Sequence, residues 1–85
     1  MPYIVKTLRI AFDSEIESLV GKVDEPGDVA YIIYRLAKGV VTRWGGRFSD
    51  YATFMGAAGE ALAEFRRRAI GLYEEKKKLE NGDVE

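Results

Sequence analysis

The chain of 85 residues contains no cysteine and no histidine. These absences exclude disulfide bonds, metal sites built from thiolate or imidazole ligands, and catalytic pairs that need a cysteine nucleophile or a histidine base. Glutamine is also absent, and Asn81 is the only asparagine. A chain that is poor in these thermolabile side chains and rich in Glu, Lys and Arg is typical of a heat-adapted source.

Long apolar runs are missing as well. A membrane-spanning helix needs roughly 20 consecutive apolar residues. The first twelve residues include Lys6 and Arg9 and lack the continuous apolar stretch of a signal peptide. We therefore expect a cytoplasmic protein that makes no membrane contact.

The composition that remains is that of a globular protein, with 47% hydrophobic and 32% charged residues and a net charge of −1. A chain of this length should form a single domain over residues 1–85. A domain so small buries only about 60–65% of its unfolded surface. Small helical chains often complete their cores by oligomerising, so we expect a homo-oligomer.

The spacing of apolar residues predicts an all-α fold with three helices, at about residues 14–23, 28–43 and 50–80. Ser14 and Glu17 have the spacing of a capping box and would start the first helix. Asp28 would be the N-cap of the second helix, and Gly82 would stop the third. Residues 1–12 fit neither a helical nor a strand period and are predicted to be an extended segment.

The third helix carries a heptad pattern whose apolar positions are separated by alternating steps of four and three residues. It would be roughly 45 Å long, which exceeds the diameter of a globule of this size. We therefore expect an antiparallel helical assembly, a dimer, in which this face lies in or near the interface. Gly56 and Gly59 leave open whether the helix is continuous. The candidate interface residues are Tyr51, Met55, Ala58, Leu62, Phe65, Ala69, Leu72 and Leu79.

Two basic segments suggest an alternative function, nucleic-acid binding. Arg43, Trp44 and Arg47 combine cations with an aromatic ring, and Arg66, Arg67 and Arg68 add a second cluster. Cations neutralise phosphates and aromatic rings stack on bases. The competing interpretation, in which the arginines pair with acids and the aromatic ring caps the core, is favoured because the total charge is near zero.

The carboxylates Glu60 and Glu64 suggest a third function, because they lie on one face of the third helix. Helical carboxylate clusters hold Mg²⁺ in all-α nucleotide pyrophosphohydrolases. The spacing typical of those enzymes is not reproduced here, so a solvated face or pairing with Arg67 and Arg68 is favoured. No cofactor, metal ligand or catalytic residue is assigned.

Motifs along the chain resemble those of a family of short proteins of unknown function that is common in phage and prophage genomes. The resemblance implies a helical fold and an origin in a mobile element, and it implies no activity. The chain departs from the family in residues 57–63, which are poorer in polar and large side chains, and at Glu85, where relatives have an aromatic residue. The matching residues are Met1, Pro2, Tyr3 and Ile4, then Gly27, Asp28, Tyr31, Ile33, Arg35 and Leu36, then Glu64, Phe65, Arg67, Arg68, Tyr73, Glu74, Lys77, Asn81, Gly82, Asp83 and Val84.

These observations favour a non-enzymatic structural or interaction module, homodimeric and possessing a protein partner, as the leading hypothesis. Nucleic-acid binding is the second hypothesis, and a Mg²⁺-dependent enzyme acting on nucleotides is the third.

Overall fold

A computed structural model of the chain describes residues 3–82 and contains helices but no strand in that range. The all-α prediction is therefore confirmed. The motif residues Met1, Pro2, Asp83 and Val84, and the departing residue Glu85, lie outside the described residues. The elements are α1 (Lys6–Val20), α2 (Pro26–Trp44), α3 (Phe48–Phe65), a five-residue π-helical turn (Arg66–Ile70), called the wide turn below, and α4 (Gly71–Asn81).

The first helix begins eight residues earlier than Ser14, at Lys6, so the predicted extended segment at residues 1–12 is wrong. Leu8, Phe12 and Ile16 follow one another at steps of four, which places them on one helical face. No glycine or proline interrupts the chain between Lys6 and Val20. The capping-box spacing at Ser14 therefore lies inside a helix, where it caps nothing.

The second helix begins at Pro26, and Asp28 is its third residue rather than its N-cap. Proline suits the first helical position because the amide hydrogen that it lacks would have no partner there. The Asp28 carboxylate accepts hydrogen bonds from the backbone N–H groups of Asp24 (3.0 Å) and Glu25 (3.1 Å). These bonds lower the pKa of Asp28 and stabilise the start of α2.

The predicted third helix runs from Phe48 to Asn81 as α3, the wide turn and α4, and it is continuous through Gly56 and Gly59. In the wide turn the N–H of Gly71 bonds to the carbonyl of Arg66, five residues earlier. A turn of this kind accommodates one residue more than an α-helical turn. The helix ends before Gly82, whose φ of 80° favours glycine, as predicted.

Contacts divide the chain into two units, Met1–Arg43 and Trp44–Glu85. In the first unit no Cα atom of α1 lies within 8 Å of one in α2. Among the described residues, Val41 (4% exposed) is the only buried hydrophobic side chain, and α1 and α4 bury none. The apolar faces of these helices are therefore uncovered in the single chain.

Candidate functional site

The turn between α2 and α3 is built from two glycines with positive φ, Gly45 (132°) and Gly46 (70°). A side chain at either position would be strained, because L-residues rarely adopt these conformations. A Cβ on Gly45 would also approach Asp50 Oδ2 to 3.4 Å. The paired glycines that the sequence suggested as a helix stop therefore also let the chain turn directly into α3.

Asp50 and Arg47 stabilise this turn. The Asp50 carboxylate is buried and accepts hydrogen bonds from the backbone N–H of Arg47 (3.0 Å) and from its guanidinium (Nε to Oδ2, 3.1 Å). The same guanidinium donates to the carbonyl oxygen of Trp44 at 3.4 Å. The guanidinium and the backbone N–H together lower the pKa of Asp50.

Sequence reasoning identified Arg47 as a cation and did not identify Asp50 as its partner. The signal was available, since an acid three residues after the residue that precedes a helix is the return half of a capping box.

Trp44 lies in the same turn, and its ring centroid is 6.4 Å from that of Phe54 on α3. The two rings are tilted by 57°, a geometry that is favourable for aromatic pairs. Arg43 is exposed at the end of α2. Of the first predicted basic segment, Trp44 and Arg47 are therefore both engaged in contacts that hold the turn.

The second basic segment occupies the wide turn. Arg67 and Arg68 form ion pairs with Glu64, whereas Arg66 is exposed. The Arg67 guanidinium is the main cause that lowers the pKa of Glu64 to about 2. Arg66 follows Arg47 by 19 residues, which corresponds to about 28 Å along the helix. The structure therefore does not bring Arg47 and the three arginines into one patch.

The carboxylates Glu60 and Glu64 lie one turn apart on α3. Glu64 is engaged by the two arginines, and residues 3–82 contain no group of three or more acidic side chains that could hold a metal ion. The structure thus offers no described cluster to carry the magnesium-enzyme hypothesis.

The predicted interface is the most extensive exposed feature of α3. Its large members are exposed, for example Met55 at 69% and Leu62 at 63%, and Ala58 at its centre is half-exposed. We call the five positions on α3 the α3 face: Tyr51, Met55, Ala58, Leu62 and Phe65.

The wide turn corrects the remainder of the predicted interface. Because the turn holds one extra residue, it rotates everything after it by about 100° relative to a regular α-helix. Leu72 and Leu79 therefore leave the line of the α3 face, and Ala69 lies within the turn itself. The heptad pattern is continuous in the sequence and interrupted in the structure.

The tyrosines that could have been core residues are exposed: Tyr31, Tyr34, Tyr51 and Tyr73. The Tyr31 hydroxyl contacts Arg35 Nη1 at 2.6 Å, and the guanidinium also lies over the ring, 5.6 Å from its centroid. Beside this pair, an open groove is lined by Leu19, Ile32 and Leu36. The first unit therefore also presents an uncovered apolar surface.

Among the described residues, no helix has both the length and the apolar character that crossing a membrane requires.

Comparison with known proteins places the chain in a family but gives it no relative of known activity. No curated protein and no solved structure matches it. A family profile described as a domain of unknown function, DUF6899, matches residues 1–84. Because the match covers almost the whole chain, the chain belongs to the DUF6899 family of proteins.

Proposed function

We propose that the chain is a non-enzymatic interaction module that pairs with a second copy of itself through the α3 face. The observation that carries this proposal is the exposure of that face together with the near absence of a core. Val41 is the only hydrophobic side chain among residues 3–82 that is buried. A folded domain normally stabilises itself by burying many such side chains.

The exposed area has the size that a stable dimer requires. The chain exposes 7714 Å². Two separate compact bodies, each with half of its mass, would together expose about 6100 Å². The excess of about 1600 Å² is twice the roughly 800 Å² that each partner contributes to a standard interface, and lies in the range of obligate homodimers.

The α3 face is the best candidate for the contact because α3 is poor in charge. Its 18 residues include three charged side chains, Asp50, Glu60 and Glu64. Asp50 and Glu64 are held by arginines of the same chain. Interface cores are depleted in charge and enriched in aromatic residues and methionine, as Tyr51, Met55 and Phe65 are here.

The finer aspects of the setting are part of the same proposal. The cysteine-free composition suits a reducing, cytoplasmic environment. The scarcity of amide side chains supports a heat-adapted source. The motif resemblance supports an origin in phage or prophage genomes.

Nucleic-acid binding through Arg43, Trp44, Arg47 and Arg66–Arg68 has less support. A phosphate would have to compete with the carboxylates that already hold Arg47, Arg67 and Arg68. Their charges are therefore partly neutralised before any nucleic acid binds.

A matched pair of leucine substitutions tests the proposal. Leu62→Glu places a charge in the α3 face and is expected to raise the dimer dissociation constant at least about 100-fold, because each copy loses the burial of a leucine side chain, about 1.5–3 kcal/mol. Leu79→Glu is the control, since Leu79 is 86% exposed and lies beyond the wide turn. Sedimentation equilibrium measures both constants. Equal constants for the two variants would show that the α3 face is not the contact.

A further inference from the structure

The arginines of the wide turn decide how two copies can be oriented. Arg66, Arg67 and Arg68 are consecutive, and Glu64 is the acid that pairs with the last two. In a parallel pair through the α3 face, each residue lies level with its own counterpart. Six guanidinium groups would then lie in one band around the two helices with two Glu64 carboxylates between them, and the excess positive charge would oppose pairing.

We propose, resting on the pairing proposed above, that the partner on the α3 face is a second copy that runs antiparallel and crosses at Ala58. Arg67 lies nine residues beyond Ala58, so the two arginine clusters would be about 27 Å apart along the axis. That distance exceeds the Debye length of about 8 Å at physiological ionic strength. The repulsion of the parallel arrangement is therefore removed.

The charges that become level with the arginines are not repulsive. Arg66 lies eight residues after Ala58, and Asp50 lies eight residues before it. An antiparallel crossing at Ala58 therefore brings Arg66 to the height of the second copy's Arg47–Asp50 pair, which carries no net charge. Antiparallel helices also place their macrodipoles in opposite directions, which is the favourable arrangement.

The shapes of the side chains fit a two-fold axis at Ala58. Tyr51 and Phe65 lie seven residues to either side of it, and Met55 and Leu62 lie three and four residues away. An axis perpendicular to the helices makes each of these large side chains face a large side chain of the other copy. Such self-complementarity is what a contact between two identical surfaces requires.

The residues around the crossing are small and leave room for a neighbouring helix. A Cβ added at Gly56 or Gly59 would meet no atom within 4 Å. Helix axes can approach to about 8 Å where the contact residues are small. The antiparallel arrangement also sends the two α4 helices away from each other, so that the lysines Lys76–Lys78 lie at opposite ends of the pair.

Distances between spin labels test the orientation. The chain has no cysteine, so Glu74→Cys gives one label site per copy, on α4. Sixteen residues separate it from Ala58, which predicts a distance of about 48 Å between the two labels in the antiparallel pair and below about 25 Å in a parallel pair. Glu60→Cys is the matched control near the crossing, where the labels should lie within about 30 Å in either orientation.

The mass of each labelled protein is measured on the same samples. A dimer with a long distance at residue 74 supports the antiparallel pair. A dimer with a short distance at residue 74 overturns the orientation and leaves the pairing intact. A monomer overturns both the pairing and the orientation.

Discussion

At the scale of single residues, the charged groups of this chain act mainly on the backbone and on one another. Asp28 and Asp50 are each the third residue of a helix, and each accepts the N–H groups that a helix start leaves without partners. Glu64 holds two arginines of the wide turn. These roles explain the carboxylates without any catalytic function.

The pH dependence of Glu64 follows from its pKa. The Arg67 guanidinium, which is the largest cause, lowers this pKa from 4.5 to about 2. Because the folded value lies below the unfolded one, ionised Glu64 contributes stability above pH 4.5 that is lost as the pH falls toward about 2. A carboxyl-carbon NMR titration should therefore show a midpoint near pH 2 for Glu64. Glu64→Gln should remove this part of the pH dependence of unfolding, and a midpoint near 4.5 would contradict the ion pairs.

At the scale of elements, the helical content follows from the sequence, but two details of the helices do not. The start of α1 was misplaced because capping-box spacing at Ser14 was given more weight than the helical spacing of Leu8, Phe12 and Ile16. Local capping patterns recur inside helices, so that only the absence of a helix-breaking residue upstream could have corrected the boundary. The existence of the three helices was correctly predicted because each has a long apolar periodicity.

The wide turn could not be read from the heptad pattern. The apolar positions continue through Arg66–Ile70 at regular steps in the sequence, while the backbone takes up one extra residue there. Of the predicted site, the α3 face could be identified because it lies within one regular helix. Leu72 and Leu79 could not be placed correctly because their direction depends on a backbone irregularity between the two helices.

Two glycines provide a matched prediction about the elements. Gly39 lies inside α2, Gly46 has a φ of 70°, and a Cβ on either would meet no atom within 4 Å. Gly39→Ala should raise the free energy of unfolding by about 0.5–1 kcal/mol, because alanine favours the helix. Gly46→Ala should lower it by about 1–2 kcal/mol, because alanine opposes the left-handed conformation.

Urea unfolding of the two glycine variants beside the unmodified chain measures both effects. If Gly39→Ala were destabilising, this side of α2 would be in contact with something that the single chain does not show.

At the scale of the whole molecule, the apolar faces are more informative than any polar cluster. Both units present hydrophobic side chains to solvent, on α1 and α2 in the first and on α3 in the second. A helix of 15 residues such as α1 is marginal in water unless its apolar face is covered. The molecule is therefore completed by association, and pairing through the α3 face is the central claim.

The most direct test of that claim is the mass of the unmodified chain in solution, measured by sedimentation equilibrium over concentrations from low to high micromolar. The chain has a mass of 9.5 kDa. Pairing predicts twice that mass at high concentration, with dissociation on dilution if the dimer is weak. A mass of 9.5 kDa throughout that range would show that the chain covers its own apolar faces, and would contradict the account.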